Sequence, residues 1–242
     1  MPLNHKRYFG KATLSVLLLL LPFIAAIWLF SHLMHEVLLE QEVAIDNNIL
    51  TYIGAHWISP PLTRFMKAVT FCASASFLQV AFAAVMLICF VRKQTRRAFE
   101  VLAIGLGGFL LNYYMKIAFH RVRPPHPLMP QLLNFSFPSG HATSGFIFYG
   151  LLSYLIWKTT IPRGYKTAAA ILLISFSLLI GFSRVYLRMH YPSDVAAGFC
   201  VGFAWLILTI WIMEKLRARS ARRRAAGTDK ILQHRQLTPP AS

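Results

Sequence analysis

A chain of 242 residues that is 56% hydrophobic, with 8 acidic side chains against 25 Lys and Arg, cannot clothe a soluble fold in polar surface, and it reads as an integral membrane protein. The formal charge of +17 does not mark a nucleic-acid binder, because the basic residues fall in short blocks between apolar spans. Cys72, Cys89 and Cys200 lie inside apolar runs and read as small hydrophobes, without disulfide pairing or metal-ligand spacing.

Residues 1–11 are short and basic (Lys6, Arg7, Lys11) and precede an apolar run over 12–34. That run is longer than the core of a cleaved signal peptide and no small-x-small site follows it, so a retained first span is expected. Residues 35–64 turn polar and acidic, with Glu36, Glu40, Glu42 and Asp46, and end in Ser59-Pro60-Pro61. Within them, 43–57 fits a short interfacial helix with Tyr52 and Trp57 at headgroup level. The plainest expectation for this loop is order without chemistry, and the alternative is a rim through which substrate enters.

A second span is expected over 65–91, closed by the basic run Arg92–Arg97. The third covers 98–119, with Gly105, Gly107 and Gly108 for close helix contact. It leaves through Lys116, His120, Arg121 and Arg123 into Pro124-Pro125. A short proline-bearing loop leads to Pro138-Ser139-Gly140-His141, which opens a fourth span over 141–157. A basic turn, a fifth span over 167–185 and a sixth over 194–213 complete the set. The fold class is therefore all-α, a six-transmembrane-helix bundle with short interfacial helices in the first extracytoplasmic loop. Residues 1–214 form a single membrane-embedded domain, and 215–242 a basic cytoplasmic tail expected to be disordered.

Six spans put both termini on one side. The blocks on that side hold 18 of the 25 Lys and Arg and the other side holds seven, so the termini are expected in the cytoplasm. Lys116–Arg123, Ser139–His141 and Arg184–Asp194 then share the outer face, as in a multi-pass protein of a bacterial-type inner membrane.

Ionisable residues at the ends of apolar spans are candidates for function. In the stretch Ser183–Asp194, Arg184 offers a planar fork of donors suited to phosphate oxygens. His190 can serve as nucleophile or proton carrier, and Asp194 could take its other ring N–H if a helix begins nearby. Ser139 and Gly140 at a helix start make an anion site from free N–H groups. His141 beside them could protonate a leaving oxygen. Zinc is the rival reading of two His and an Asp, but surrounding cations would repel a metal ion and already supply its charge. Arg121 and Arg188, taken singly, are expected to snorkel to lipid headgroups.

Lys116-x6-Arg123-Pro124, Pro138-Ser139-Gly140-His141 and Ser183-Arg184-x5-His190-x3-Asp194 resemble the three signature motifs of the type 2 phosphatidic acid phosphatase superfamily. That group contains membrane lipid phosphatases and soluble vanadium haloperoxidases, and the likeness covers about residues 65–213. The resemblance implies that His190 forms a phosphohistidine, that Asp194 orients it, and that His141 protonates the leaving group and then activates water. It implies that Lys116, Arg123, Ser139, Gly140 and Arg184 hold the phosphoryl oxygens, without metal or other cofactor. His120, Arg121, His126 and Arg188 lie outside the motifs and are headgroup contacts at best.

The expected function is an extracytoplasmic phosphatase acting on a membrane lipid phosphate or diphosphate, with undecaprenyl diphosphate and phosphatidylglycerophosphate favoured by family analogy. The expected partners are that lipid and the bilayer, with no nucleic acid; the oligomeric state is left open. A lipid phosphotransferase and a non-catalytic anion-binding or transport protein are the alternatives. Motifs set between spans disfavour a haloperoxidase.

Overall fold

The computed structural model describes residues 5–39, 44–130 and 134–237. Glu40 and Glu42 lie outside them. The described residues are helical apart from the connections, of which the longest lies between α5 and α6: α1 (His5–Met34), a π-helical turn (His35–Leu39), α2 (Ala44–His56), α3 (Pro60–Phe71), α4 (Ala75–Val91), α5 (Thr95–Phe119), α6 (Gly140–Trp157), α7 (Arg163–Tyr186) and α8 (Pro192–Leu237). Two compact units divide the chain, Met1–Leu206 and Ile207–Ser242, with the boundary inside α8.

Four of the described helical stretches are long and apolar enough to cross a membrane, and five if α3 and α4 count as one broken span. The span expected over 65–91 falls on this pair, which is bent by 44°. The break has a local cause. Ser74 caps α4 by accepting from the Phe77 N–H, so the chain restarts a helix there, and Pro60-Pro61 occupy the first turn of α3. The helix α6, expected as the fourth span, is not among those that qualify by length and apolar character. Its first turns carry His141, Thr143 and Ser144, which serve the protein interior. The helix expected within 43–57 is present as α2.

The tail over 215–242, expected to be disordered, is helical as far as Leu237, because α8 continues into it. Its Ala, Arg, Lys and Gln content favours helix, and the next proline is Pro239. Residues 238–242 lie outside those described.

Large apolar side chains such as Val80, Leu87, Phe99, Phe109, Ile171 and Leu172 point outward, as the wall of a bundle in lipid requires. Where helices meet, small residues let them approach. A Cβ on Gly105 would sit 2.8 Å from Phe82, one on Gly107 2.4 Å from Trp205, and one on Gly108 2.4 Å from Ile147. The core under the polar clusters joins Leu50 and Ile53 of α2, Met66 of α3, Ala142 of α6 and Val185–Leu187 at the end of α7. The loop helix α2 is thus part of the core, and its buried face packs on the segment that carries His190.

Candidate active site

Two connections, α5 to α6 and α7 to α8, present the polar residues. The helix α7 ends at Tyr186, and the chain doubles back so that the Met189 and His190 N–H groups both donate to the Arg184 carbonyl, at 3.0 and 3.3 Å. Arg188 takes a left-handed backbone in this turn. Two residues past His190 the next helix starts, so Asp194 lies in the first turn of α8 and faces back to the imidazole. His120 ends α5 in a left-handed cap, which swings Arg121 and Arg123 inward. Ser139 caps α6 through its side chain, and its own N–H donates to the Asp194 carbonyl at 3.0 Å. Two of the sequence motifs are thereby joined through backbone alone.

His190 is fully buried, and its two ring nitrogens have different partners. Nδ1 lies 3.5 Å from Asp194 Oδ2 and 3.2 Å from the Ser136 hydroxyl, which also donates to Asp194 Oδ2. Nε2 lies 3.2 Å from Arg123 Nη1. A guanidinium can only donate, so Nε2 carries the lone pair and Nδ1 the proton. Both ends of the ring therefore select the same tautomer. Burial lowers the pKa of His190 from 6.5 to about 3; the Asp194 hydrogen bond and charge oppose this, while Arg184 and Arg123 reinforce it. The ring is a neutral base, with its lone pair directed at a cationic region.

Those cations are held in place. Arg123 donates from Nε to the Asn134 carbonyl at 2.9 Å, from Nη2 to Asn134 Oδ1 at 2.6 Å, and from Nη1 to the Met189 carbonyl at 2.6 Å. Burial lowers its pKa and Asp194 opposes that shift. Lys116 Nζ donates to the carbonyls of Phe135 and Ser136, at 2.7 and 3.3 Å. Arg184 donates from Nη1 to Thr70 Oγ1 at 2.9 Å, and its buried Nε has no partner among the described residues. A Cβ on Gly140 would meet Asn112 Oδ1 at 3.1 Å, a tight contact that glycine avoids. His141 follows it, within electrostatic reach of Arg184, Arg123, Lys116 and His190.

Lys116, Gly140 and His141 are among the residues that line a cavity of about 630 Å³ between α4 and α5. Leu78, Phe82, Met86, Leu102, Leu106 and Phe109 make its other walls apolar. A polar cluster in an apolar groove suits a ligand that is anionic at one end and greasy along its length.

Residues 97–218 of the chain match the family model of the PAP2 superfamily. The chain belongs to that family. Phosphatidylglycerophosphatase B of Bacillus subtilis (strain 168) is 29% identical over 160 residues, which cover 65% of this chain and 78% of that protein. Undecaprenyl-diphosphatase BcrC of the same organism is 29% identical over 130 residues, 50% of this chain and 62% of that one. The crystal structure of a transmembrane PAP2-type phosphatidylglycerolphosphate phosphatase from Bacillus subtilis matches with a TM-score of 0.71 and 28% identity, over 80% of this chain and 96% of that one. This PAP2 protein is a multi-pass membrane phosphatase, a hydrolase acting on phosphoric esters.

Every motif residue named from the sequence lies in or beside this one cluster. Arg121 and Arg188 are corrections. Arg121 does not snorkel: it is buried, donating to Asp194 Oδ1 at 2.5 Å and to Asp46 Oδ2 at 2.8 Å, with its guanidinium 4.3 Å above the Tyr191 ring. Arg188 turns inward too and donates to the Leu50 carbonyl of α2 at 3.3 Å. Sequence reasoning passed over Ser136, Asn134, Thr70 and Asn112, which orient the motif residues and carry no spacing pattern of their own. The acidic residue of α2, Asp46, could have been singled out as a charge on an otherwise apolar face.

Proposed function

We propose that this PAP2 protein removes phosphate from a membrane lipid phosphate or diphosphate monoester at the extracytoplasmic surface, through a phosphohistidine on His190. The observation that carries the lipid assignment is the apolar groove that Lys116, Gly140 and His141 help to line. A soluble phosphate ester would gain nothing from that groove. A lipid would slide its tail between α4 and α5 and bring its headgroup to the cations. Undecaprenyl diphosphate and phosphatidylglycerophosphate are the favoured substrates, on the analogy of the relatives named above.

In the first step His190 Nε2 attacks phosphorus, the N–P bond forms and the bond to the leaving oxygen breaks. Arg123 turns from Nε2 to a phosphoryl oxygen, while Lys116, Arg184 and the N–H groups at the start of α6 take the others. His141, which takes up a proton together with the incoming anionic headgroup, gives that proton to the departing oxygen. In the second step water attacks phosphorus, His141 takes the water's proton, and the N–P bond breaks to release inorganic phosphate. Throughout, Asp194 and Ser136 keep the proton on Nδ1 and offset the positive charge that grows on the ring.

The distribution of Lys and Arg supports cytoplasmic termini and an outward-facing site. The test is phosphate release from a panel of purified phospholipid phosphates and polyprenyl diphosphates, with His190→Ala protein as the blank. The reading expects release that is stoichiometric with substrate, needs no acceptor lipid and is absent from the blank. Equal release by His190→Ala protein, or no release from any lipid, would overturn it.

A further inference from the structure

Among the described residues α2 brings one carboxylate into the protein interior, Asp46, which is 5% exposed. It is fully engaged. Oδ1 accepts the Ser193 N–H at 2.9 Å, and Oδ2 accepts the Ser193 hydroxyl together with Arg121 Nη2 at 2.8 Å. Through Nη1 the same guanidinium binds Asp194 Oδ1 at 2.5 Å and the Ser193 hydroxyl at 2.8 Å. Asp194 is left with Oδ2 for Ser136, the Tyr191 N–H and the His190 ring. One buried cation is therefore shared between two carboxylates, and only one of them faces the nucleophile.

Charge counting gives this arrangement a purpose. Arg121 alone would neutralise Asp194 and draw its electron density away from His190. Asp46 offsets Arg121 from the other side, so the two cancel and Asp194 keeps its negative charge for the imidazole. As the ring becomes cationic on attack, the four groups reach net zero inside a region that excludes water. We propose that Asp46 and Arg121 form a charge-balancing pair that positions Asp194 and sets how much of its charge reaches His190. This rests on His190 being the nucleophile. It also gives the first loop a part in the chemistry: Asp46 reaches the site only because Leu50 and Ile53 seat α2 in the core.

The ionisable groups facing His190 are Asp194 from α8, Arg184 from α7, Arg123 after α5, and His141 at the start of α6. Arg121 and Asp46 act on it through Asp194. The two members of the pair should therefore push the ring in opposite directions, which a merely structural ion pair would not do.

The test uses the full chain in detergent micelles with dioctanoyl phosphatidylglycerol phosphate as probe, measuring kcat, KM and the pH profile of kcat. Asp46→Asn is expected to lower kcat about 10- to 100-fold with KM within about twofold. Arg121→Gln is expected to move the acid limb of the profile toward neutral pH, because Asp194 then acts on His190 unopposed. The double variant buries the same net charge as the wild type and should recover at least about tenfold of the kcat lost in Asp46→Asn. Wild-type kcat in Asp46→Asn, or a double variant no better than it, would overturn the proposal. Should Asp46→Asn not fold, the double variant is compared with wild type directly. A kcat within about tenfold then supports the pair, and complete loss refutes it. His190→Ala is measured alongside. If it still turns over, the nucleophile assignment itself fails; if it is dead while Asp46→Asn works normally, only the pair does.

Discussion

Burial wins over the carboxylate at His190. With its pKa drawn from 6.5 to about 3, the ring stays unprotonated across the whole physiological range. The unfolded chain would take up that proton near 6.5, so the native state loses stability as pH falls from about 6.5 toward 3. Thermal unfolding in detergent should therefore show the melting temperature dropping more steeply on acidification in wild type than in His190→Gln; equal slopes would contradict the buried neutral ring. Asp194→Asn keeps the side-chain volume but can present an N–H to Nδ1, which favours the wrong tautomer. It should fold and lose turnover by about 10⁴-fold, as the loss of an orienting carboxylate does elsewhere; a kinetic assay showing near-normal turnover would remove Asp194 from its proposed role. Chelators should leave the rate unchanged, because Lys116, Arg123 and Arg184 already supply the positive charge. A loss of rate that added metal restores would contradict this.

At the scale of elements, the close approach of α6 to α8 holds Ser139 and His141 against the segment that bears Asp194. A Cβ on Gly198 would sit 2.8 Å from the Ser139 carbonyl, a backbone atom that cannot move aside as a flexible side chain could. Gly198→Leu should therefore destabilise the protein by about 1–3 kcal/mol and lower turnover together with it, which unfolding and activity measured on one preparation would check. Gly105 in the groove wall differs, since its neighbour is the end of the Phe82 ring. Gly105→Leu should narrow the groove and shift preference toward shorter lipid tails while sparing short-chain substrates; an unchanged chain-length profile would argue against this groove as the tail site. Helices and the three polar motifs were legible because apolar runs and fixed spacings are local signals. The bend at Ser74 and the inward turn of Arg121 were not. A serine inside an apolar run is compatible with a continuous helix until it caps, and a lone arginine at a span end looks the same whether its partner is a headgroup or Asp46, far away in the sequence.

Over the whole molecule, segments far apart along the chain converge. Residues 116–123, 134–141 and 184–194 meet within hydrogen-bonding distance through Ser136 to His190, Ser139 to Asp194 and Arg123 to His190. The sequence could supply the motifs, but not the shell of Asn134, Ser136 and Asp46 that orients them, since those contacts exist only once the helices have packed. Sealed vesicles of known orientation should hydrolyse an added impermeant phosphate ester only when the outer face is exposed; equal hydrolysis at the inner face would reverse the proposed topology. The central claim is that His190 takes the phosphoryl group. Its most direct test is a rapid acid-free quench of the wild-type protein with lipid substrate labelled in the phosphate, followed by mapping of the labelled residue. The account predicts alkali-stable, acid-labile phosphate on His190 that forms and decays at rates compatible with turnover; turnover without protein-bound phosphate, or label on another residue, would contradict it.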